Sequence, residues 1–328
     1  MQNTLDRDHM SETIKLEKNA PLSSRGMRLD QVASDIFSDF SRSRLQTWIK
    51  KGDLLVDGIL LRPKDKLQGG ELLTIAALLE SEGEWQSEPI ELDIVFEDEH
   101  IVILNKPAGL VVHPAAGNYT GTLLNGLLHK IPDNEKIPRA GIVHRLDKDT
   151  SGIMVAAKTL EAHYSLVKQL QSRSVTREYH AIAQGVMTGG GTVNKPLGRH
   201  PKVRTRMAVV SHSGKDAITH FRIIKKFEHH TFIRVKLETG RTHQIRVHMA
   251  HIGYPLIGDP VYGGRLKLPK GATLKLQEAL RGFNRQALHA AMLGLIHPVS
   301  NKYMEWYVPV PTDFADLLDV LKTESSNI

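Results

Sequence analysis

The sequence predicts an α+β protein built as a small domain followed by a large one, and three observations lead there. At 328 residues the chain exceeds the usual span of one hydrophobic core, and its 41% hydrophobic content suffices for two. A helix–helix–strand pattern is followed by an acidic stretch. Beyond that stretch strand-like runs recur with few helices between them and in no regular alternation, which points to a mixed, mainly antiparallel sheet with peripheral helices. The expected order is a disordered tail (1–20), a small domain (21–78), an acidic linker (79–90), a large domain (91–320) and a C-terminal tail (321–328).

Residues 1–20 are polar and lack periodicity, as disordered chain does. From Arg28 to Phe40 the apolar positions Leu29, Val32, Ile36, Phe37 and Phe40 recur at helical spacing, and Asp30 stands in the first turn, where the helix dipole favours it. Ser41 can cap a second helix bearing Leu45, Trp48 and Ile49, which Gly52 ends. Leu54-Leu55-Val56 reads as a strand running into an Asp57-Gly58 turn. Glu80 to Glu99 then holds nine acids and no Lys or Arg. In the large domain, strands are expected at Leu92–Phe96, Ile101–Leu104, Gly152–Ala157, Glu178–Ala183, Ala217–Ile224 and Phe232–Leu237. Helices are expected at Leu160–Leu170 and Thr242–His251, the second capped by Thr242 and buried along Ile245, Met249 and Ile252.

With no cysteine the chain has no disulfide, no thiolate nucleophile and no cysteine-ligated zinc, so oxygen and nitrogen groups must carry any chemistry. Its 17 histidines show no familiar metal-ligand arrangement. No apolar run approaches the roughly 20 residues that span a bilayer, and no signal peptide is evident, so a soluble cytoplasmic protein is expected. The net charge of +7 is concentrated: Lys195 to Ala250 carries thirteen Lys or Arg against three acids. A polyanion would be drawn to that segment, above all to the acid-free run holding Arg199, Lys202, Arg204 and Arg206.

Two clusters concentrate reactive side chains. In the first, His144-Arg145-Leu146-Asp147-Lys148-Asp149, Asp147 follows β-like Ile142-Val143-His144 and precedes Thr150-Ser151-Gly152, read as a turn. On residue types alone Asp147 stands open between a catalyst and a turn residue. Asp147 and Asp149, two apart on extended chain, share a face and imitate a glycosidase pair, but their basic neighbours favour ionised forms where that reaction needs a protonated acid. In the second cluster, Thr239 to His248, Arg246 lies off the apolar stripe; it is either a surface arginine or a rigid fork aimed at a carboxylate elsewhere.

Several motifs in fixed order then bear on these alternatives. Asn105 to Pro114, His144 to Gly152, Arg177-Glu178-Tyr179, Gly240 to His248, Gly258 to Gly263 and Leu288-His289-Ala290 together resemble the RluA-type pseudouridine synthases. Arg28-Leu29-Asp30, Ser41 to Arg44, Trp48 to Gly52 and Val56-Asp57-Gly58 resemble the S4 RNA-binding domain. The two resemblances cover about 290 residues of the chain.

They imply site-specific isomerisation of uridine to pseudouridine in large-subunit (23S) ribosomal RNA, by base flipping and an essential aspartate, without metal, redox cofactor or nucleotide. By resemblance Asp147 is the catalytic aspartate, Arg246 its ion-pair partner, Tyr179 the platform for the target base and an aid to proton removal at C5, and Arg145 the residue that fills the space the base leaves. Arg42, Arg44, Lys50 and Lys51 of the small domain, with Arg199, Lys202, Arg204, Arg206 and Arg241, are the expected RNA contacts. The expected substrate is a stem-loop, free or in an assembling subunit, and the expected state a monomer. A catalytically silent RNA-binding or ribosome-assembly protein on the same fold is the alternative.

Overall fold

The computed structural model describes residues 13–37, 40, 42–78, 85–114, 118–203, 205–211 and 214–326. The chain divides into two units, Met1–Glu84 and Trp85–Ile328.

The N-terminal unit runs β1 (Thr13–Asn19), α1 (Leu29–Ile36), α2 (Arg42–Lys51), β2 (Leu54–Val56) and β3 (Leu72–Leu78). Its strands form one antiparallel sheet in the order β1-β3-β2. Thr13–Asn19 is therefore a strand, where the polar sequence suggested disordered tail; its side chains need not be apolar because β3 supplies backbone partners along all seven residues. Ser41, the expected cap of α2, lies outside the described residues. After β2 the Asp57-Gly58 turn forms with φ of 50° and 75°, and Val56 and Ile59 exchange backbone hydrogen bonds across it. Both central residues of this tight turn need positive φ, which Gly58 adopts without a Cβ penalty. Leu29, Val32, Leu45, Ile49, Leu54 and Leu73 fill the core.

Asp30 departs from a simple dipole role. Its carboxylate is fully buried and accepts from Arg28, from Nε and Nη2 of Arg42, and from Gln46. Burial alone would raise its pKa, but the hydrogen bonds from Arg28, Arg42 and Gln46 and the Arg42 charge outweigh it and hold the carboxyl down at about 2. A depressed carboxyl contributes stability that is full above the ordinary value of 3.8 and lost as the pH falls through about 2. Asp30→Ala is thus expected to cost the unit on the order of 2 kcal/mol at neutral pH, a difference that narrows in acid. Amide exchange in α1 and α2, wild type against variant, checks both.

The larger unit runs β4 (Ile94–Glu97), β5 (Ile101–Lys106), α3 (Leu123–Lys130), β6 (Ser151–Ala157), α4 (Leu160–Gln171), β7 (Thr176–Gln184), β8 (Gly191–Asn194), β9 (Leu197–Arg199), β10 (Met207–Val209), β11 (Ile218–Lys226), β12 (His230–Leu237), α5 (Gln244–His251), α6 (Leu274–Gly282), β13 (Leu288–Ile296), β14 (Tyr303–Tyr307) and α7 (Thr312–Ser326). Nine strands make one sheet in the order β4-β5-β6-β13-β7-β12-β11-β8, with β14 also on β13; β9 and β10 form a separate pair. Among the described residues, the one parallel pair of the large sheet is β13–β6. No helix among the described residues is long and apolar enough to cross a membrane.

The ends of this unit differ from the sequence reading. Residues 85–90, expected as linker, belong to it: Trp85 packs against the main core, and Asn125 donates to the Gln86 carbonyl. Residues 321–326 are the last turns of α7 rather than a tail, because Leu317, Leu318 and Leu321 pack with Phe314 on Phe283 and Ile182. Ile142-Val143-His144 is not a strand; Ile142 makes a single bridge to Ala156. Strand β13 was not among the expected strands; its first three residues stood only in a motif. Eight of its nine positions are buried, so it has no polar alternation, and a short apolar run without it does not declare strand or helix.

Candidate active site

The site is assembled at the mouth of a cleft of about 1060 Å³, around the turn that enters β6. Asp147 starts that turn and the Thr150 amide closes it on the Asp147 carbonyl at 3.0 Å. Lys148 and Asp149 form its corner, whereas Thr150-Ser151-Gly152, the expected turn, leads into and begins the buried strand β6. The turn is pinned from several sides. Lys106, 1% exposed, donates to the Lys148 carbonyl at 2.9 Å and to the carbonyls of Pro107 and Leu110. Arg285 reaches the Asp149 carbonyl, and Gln286 donates to the Thr150 hydroxyl. Burial pushes the Lys106 ammonium down to about 7, against the opposing charges of Asp149 and Asp147.

Gly152 fixes the turn against its neighbour strand. At φ 116° a Cβ would stand 2.2 Å from the Ala290 carbonyl oxygen, closer than atoms approach. Gly152→Ala must push β6 away from β13 and with it the start of the Asp147 turn. It is expected to cost at least about 3 kcal/mol, and a melting temperature equal to wild type would refute the close approach.

Arg246 provides the electrostatic frame. It lies in the first turn of α5, is nearly buried, and donates from Nη1 to Asp147 Oδ2 at 2.8 Å. The other edge of its fork is bidentate to Asp259, Nε to Oδ2 at 2.7 Å and Nη2 to Oδ1 at 2.9 Å. Asp259 also accepts from the amides of Val261 and Tyr262. Burial opposes both charges, but the Arg246 hydrogen bonds and charge hold Asp259 below the usual carboxylate range, and Asp259 and Asp147 hold the guanidinium above its own. Helix α5 is buried on nearly every side, not along one stripe. Its N-cap is His243 rather than Thr242, without a side-chain cap bond; Gln244 Oε1 accepts from the Arg241 amide in the turn that leads into the helix.

Tyr179 lies on β7 between Val235 of β12 and Ala290 of β13. It is buried and lines the cleft with Asp147 and Arg246. Burial raises its phenol above the usual range and the Asp147 charge adds to this, while Arg177 opposes. Arg145 is exposed on the cleft wall. His144, beside it, is pushed down to about 3 by burial and the Arg177 charge, and its Nε2 accepts from the Val155 amide. It is a neutral structural partner of β6.

The structure thus brings Asp147, Arg246, Tyr179, Arg145 and Arg241 to one cleft. Arg241 spends its Nε on the Asp216 carbonyl. Arg199 ends β9, and Lys202 and Arg206 stand exposed in the loop that joins it to β10; Arg204 lies outside the described residues. In the N-terminal unit Lys50 and Lys51 are exposed, Arg44 stacks at 6.0 Å over Trp48, and Arg42 has two of its nitrogens committed to Asp30, which leaves it less to offer an anion than the sequence reading supposed. Among the described residues no group of three or more His, Cys, Asp or Glu could hold a metal ion.

Sequence reasoning passed over Asp259, Lys106 and His243 as site residues. Asp259 sat in a quoted motif, Gly258 to Gly263, but nothing in a lone Asp-Pro signals a buried partner. The signal available was arithmetic: a buried fork with five donors needs more than one carboxylate.

Residues 100–251 match the family model described as RNA pseudouridylate synthase. The chain is 57% identical over 315 residues to the ribosomal large subunit pseudouridine synthase D of Pseudomonas aeruginosa, covering 96% of this chain and 98% of that one. It is 53% identical to the protein of the same name from Escherichia coli K12, covering 96% and 97%. Among solved structures, human RNA pseudouridylate synthase domain containing 4 aligns with a TM-score of 0.55 at 24% identity, over 70% of this chain and 93% of that one, a likeness of fold.

Proposed function

This chain belongs to the RNA pseudouridylate synthase family, and on that footing we propose that it isomerises uridine to pseudouridine in large-subunit (23S) ribosomal RNA, with Asp147 as the essential carboxylate. The observation that carries the reading is Arg246 bridging Asp147 to a second carboxylate, Asp259, at the cleft. A carboxylate so held keeps one oxygen paired and the other toward the cleft, and the bridging cation compensates its partial burial.

The reaction breaks the N1–C1′ bond and rejoins the ribose to C5, neither of which is accessible in stacked RNA. The target base must be flipped, at a cost of a few kcal/mol. Stacking on Tyr179 would return roughly 1–3 kcal/mol, and Arg145, exposed on the wall, would fill the gap in the stack. Because the phenol is raised by burial, Tyr179 suits the platform role better than that of a base drawing the C5 proton. The N-terminal unit and the β9–β10 loop would gather the polyanion through phosphates, making binding steeply salt-dependent. The proposed substrate is a uridine-bearing stem-loop, free or in an assembling subunit, and the enzyme a cytoplasmic monomer that needs no cofactor.

Ribosomal RNA labelled with tritium at uracil C5 tests this. Release of tritium by the wild-type chain is expected, together with new pseudouridines at defined positions; binding without release would make it an RNA-binding protein on an enzyme fold.

A further inference from the structure

His243 stands beside Asp147 with an unusual backbone. Its φ of 57° is left-handed, a region disfavoured for any residue with a Cβ, and no side-chain cap bond explains it. The imidazole Nδ1 lies 2.8 Å from the Tyr262 hydroxyl oxygen, and that oxygen also accepts from the Met207 amide at 2.9 Å. With Met207 as its donor, the Tyr262 hydroxyl can give its own proton to Nδ1. A neutral imidazole so held carries its hydrogen on Nε2. Nε2 is 3.8 Å from Asp147 Oδ1, the oxygen that Arg246 leaves open.

We infer that His243 is a positioning residue for Asp147: a neutral imidazole whose Nε2–H is aimed at Oδ1 and whose tautomer is set by Tyr262. The inference rests on the reading of Asp147 as the essential carboxylate. The groups facing the ring are Arg246 on its own helix, Asp259 and Tyr262 from the loop after α5, and Asp147 and Arg145 from the catalytic turn. Burial pushes the imidazole below its ordinary range and the charges of Arg246 and Arg145 push the same way, while Asp147 and Asp259 oppose. The neutral form therefore prevails at neutral pH. In acid the imidazolium becomes a second cation on Asp147; both carboxylate oxygens are then ion-paired, and the one needed by the substrate is withdrawn. Turnover falls on the acid side as a result.

His243→Ala is expected to lower kcat by about 10²-fold with KM within about twofold of wild type. His243→Gln, whose amide can still donate to Oδ1 but does not titrate, should recover part of that loss and flatten the acid limb of the kcat profile. Wild-type kcat in His243→Ala, a loss confined to KM, or an unchanged acid limb in His243→Gln would overturn the assignment. Imidazole nitrogen NMR on the free protein, which does not depend on folding of the His243 variants, gives the second reading. Hydrogen on Nε2 in wild type and a mixture of tautomers in Tyr262→Phe support the assignment, and hydrogen on Nδ1 in wild type refutes it. The NMR result stands whether or not RNA is the substrate, whereas absence of tritium release from wild type would sink the functional reading alone.

Discussion

Asp147→Asn is expected to bind RNA within a few-fold of wild type and to lose turnover by on the order of 10⁴-fold or more. The asymmetry follows from where the charge sits. The side chain is nearly isosteric, and its amide oxygen can still accept from Arg246 Nη1. Arg246 keeps both hydrogen bonds to Asp259, so the buried cation retains a counter-charge and the site does not collapse. The RNA contacts proposed above lie elsewhere, on exposed cations such as Lys50, Lys202 and Arg206. Only the anion facing the substrate is gone. Tritium release under single-turnover conditions, beside equilibrium binding of the same RNA, makes the comparison; a variant with wild-type release would remove Asp147 from its role.

Arg246→Ala should damage both the fold and the chemistry. It leaves Asp259, fully enclosed, with only two backbone amides, and Asp147 without its cation. Removing one partner of a buried ion pair costs about 3–5 kcal/mol, and catalysis should fall by at least 10²–10³-fold, more than RNA affinity does. The sign with pH is fixed by Asp259. Its folded pKa is depressed, so its contribution is present above the ordinary 3.8 and disappears as the pH falls through the lower folded value. The stability gap between wild type and Arg246→Ala should therefore be widest at neutral pH and shrink in acid, as measured by amide exchange in α5. The double variant Arg246→Met with Asp259→Asn separates the two effects: stability should largely return and turnover should not. Return of turnover would show that the charge on Arg246 is dispensable.

The pattern that was legible in the sequence is the pattern that local chemistry writes. Strands β5, β7 and β12 alternate or carry β-branched residues, α4 repeats at helical spacing, and the Asp57-Gly58 turn has a backbone demand that few residues meet. Asp147 and Arg246 stood out within dense clusters of charge, but their roles, and Tyr179 altogether, came from the motifs. What stayed hidden depends on partners distant in the chain. Thr13–Asn19 is a strand because β3 completes it. Lys106 is a buried ammonium because three carbonyls converge on it, and Asp30 is a buried anion because Arg28, Arg42 and Gln46 close over it. None of these residues differs in type from a surface Lys or Asp.

Strand β13 sets a timetable for the enzyme. It joins the β4–β6 half of the sheet to the β7–β12 half, pairing Ala290 with Gly152 beside the Asp147 turn on one flank and with Tyr179 on the other. A nascent chain can complete its N-terminal unit early, but the carboxylate and the aromatic platform have no common scaffold until residues 288–296 have emerged. The nascent protein can thus fold its N-terminal unit while still unable to modify anything, and activity waits for the strand that joins the two halves of the sheet.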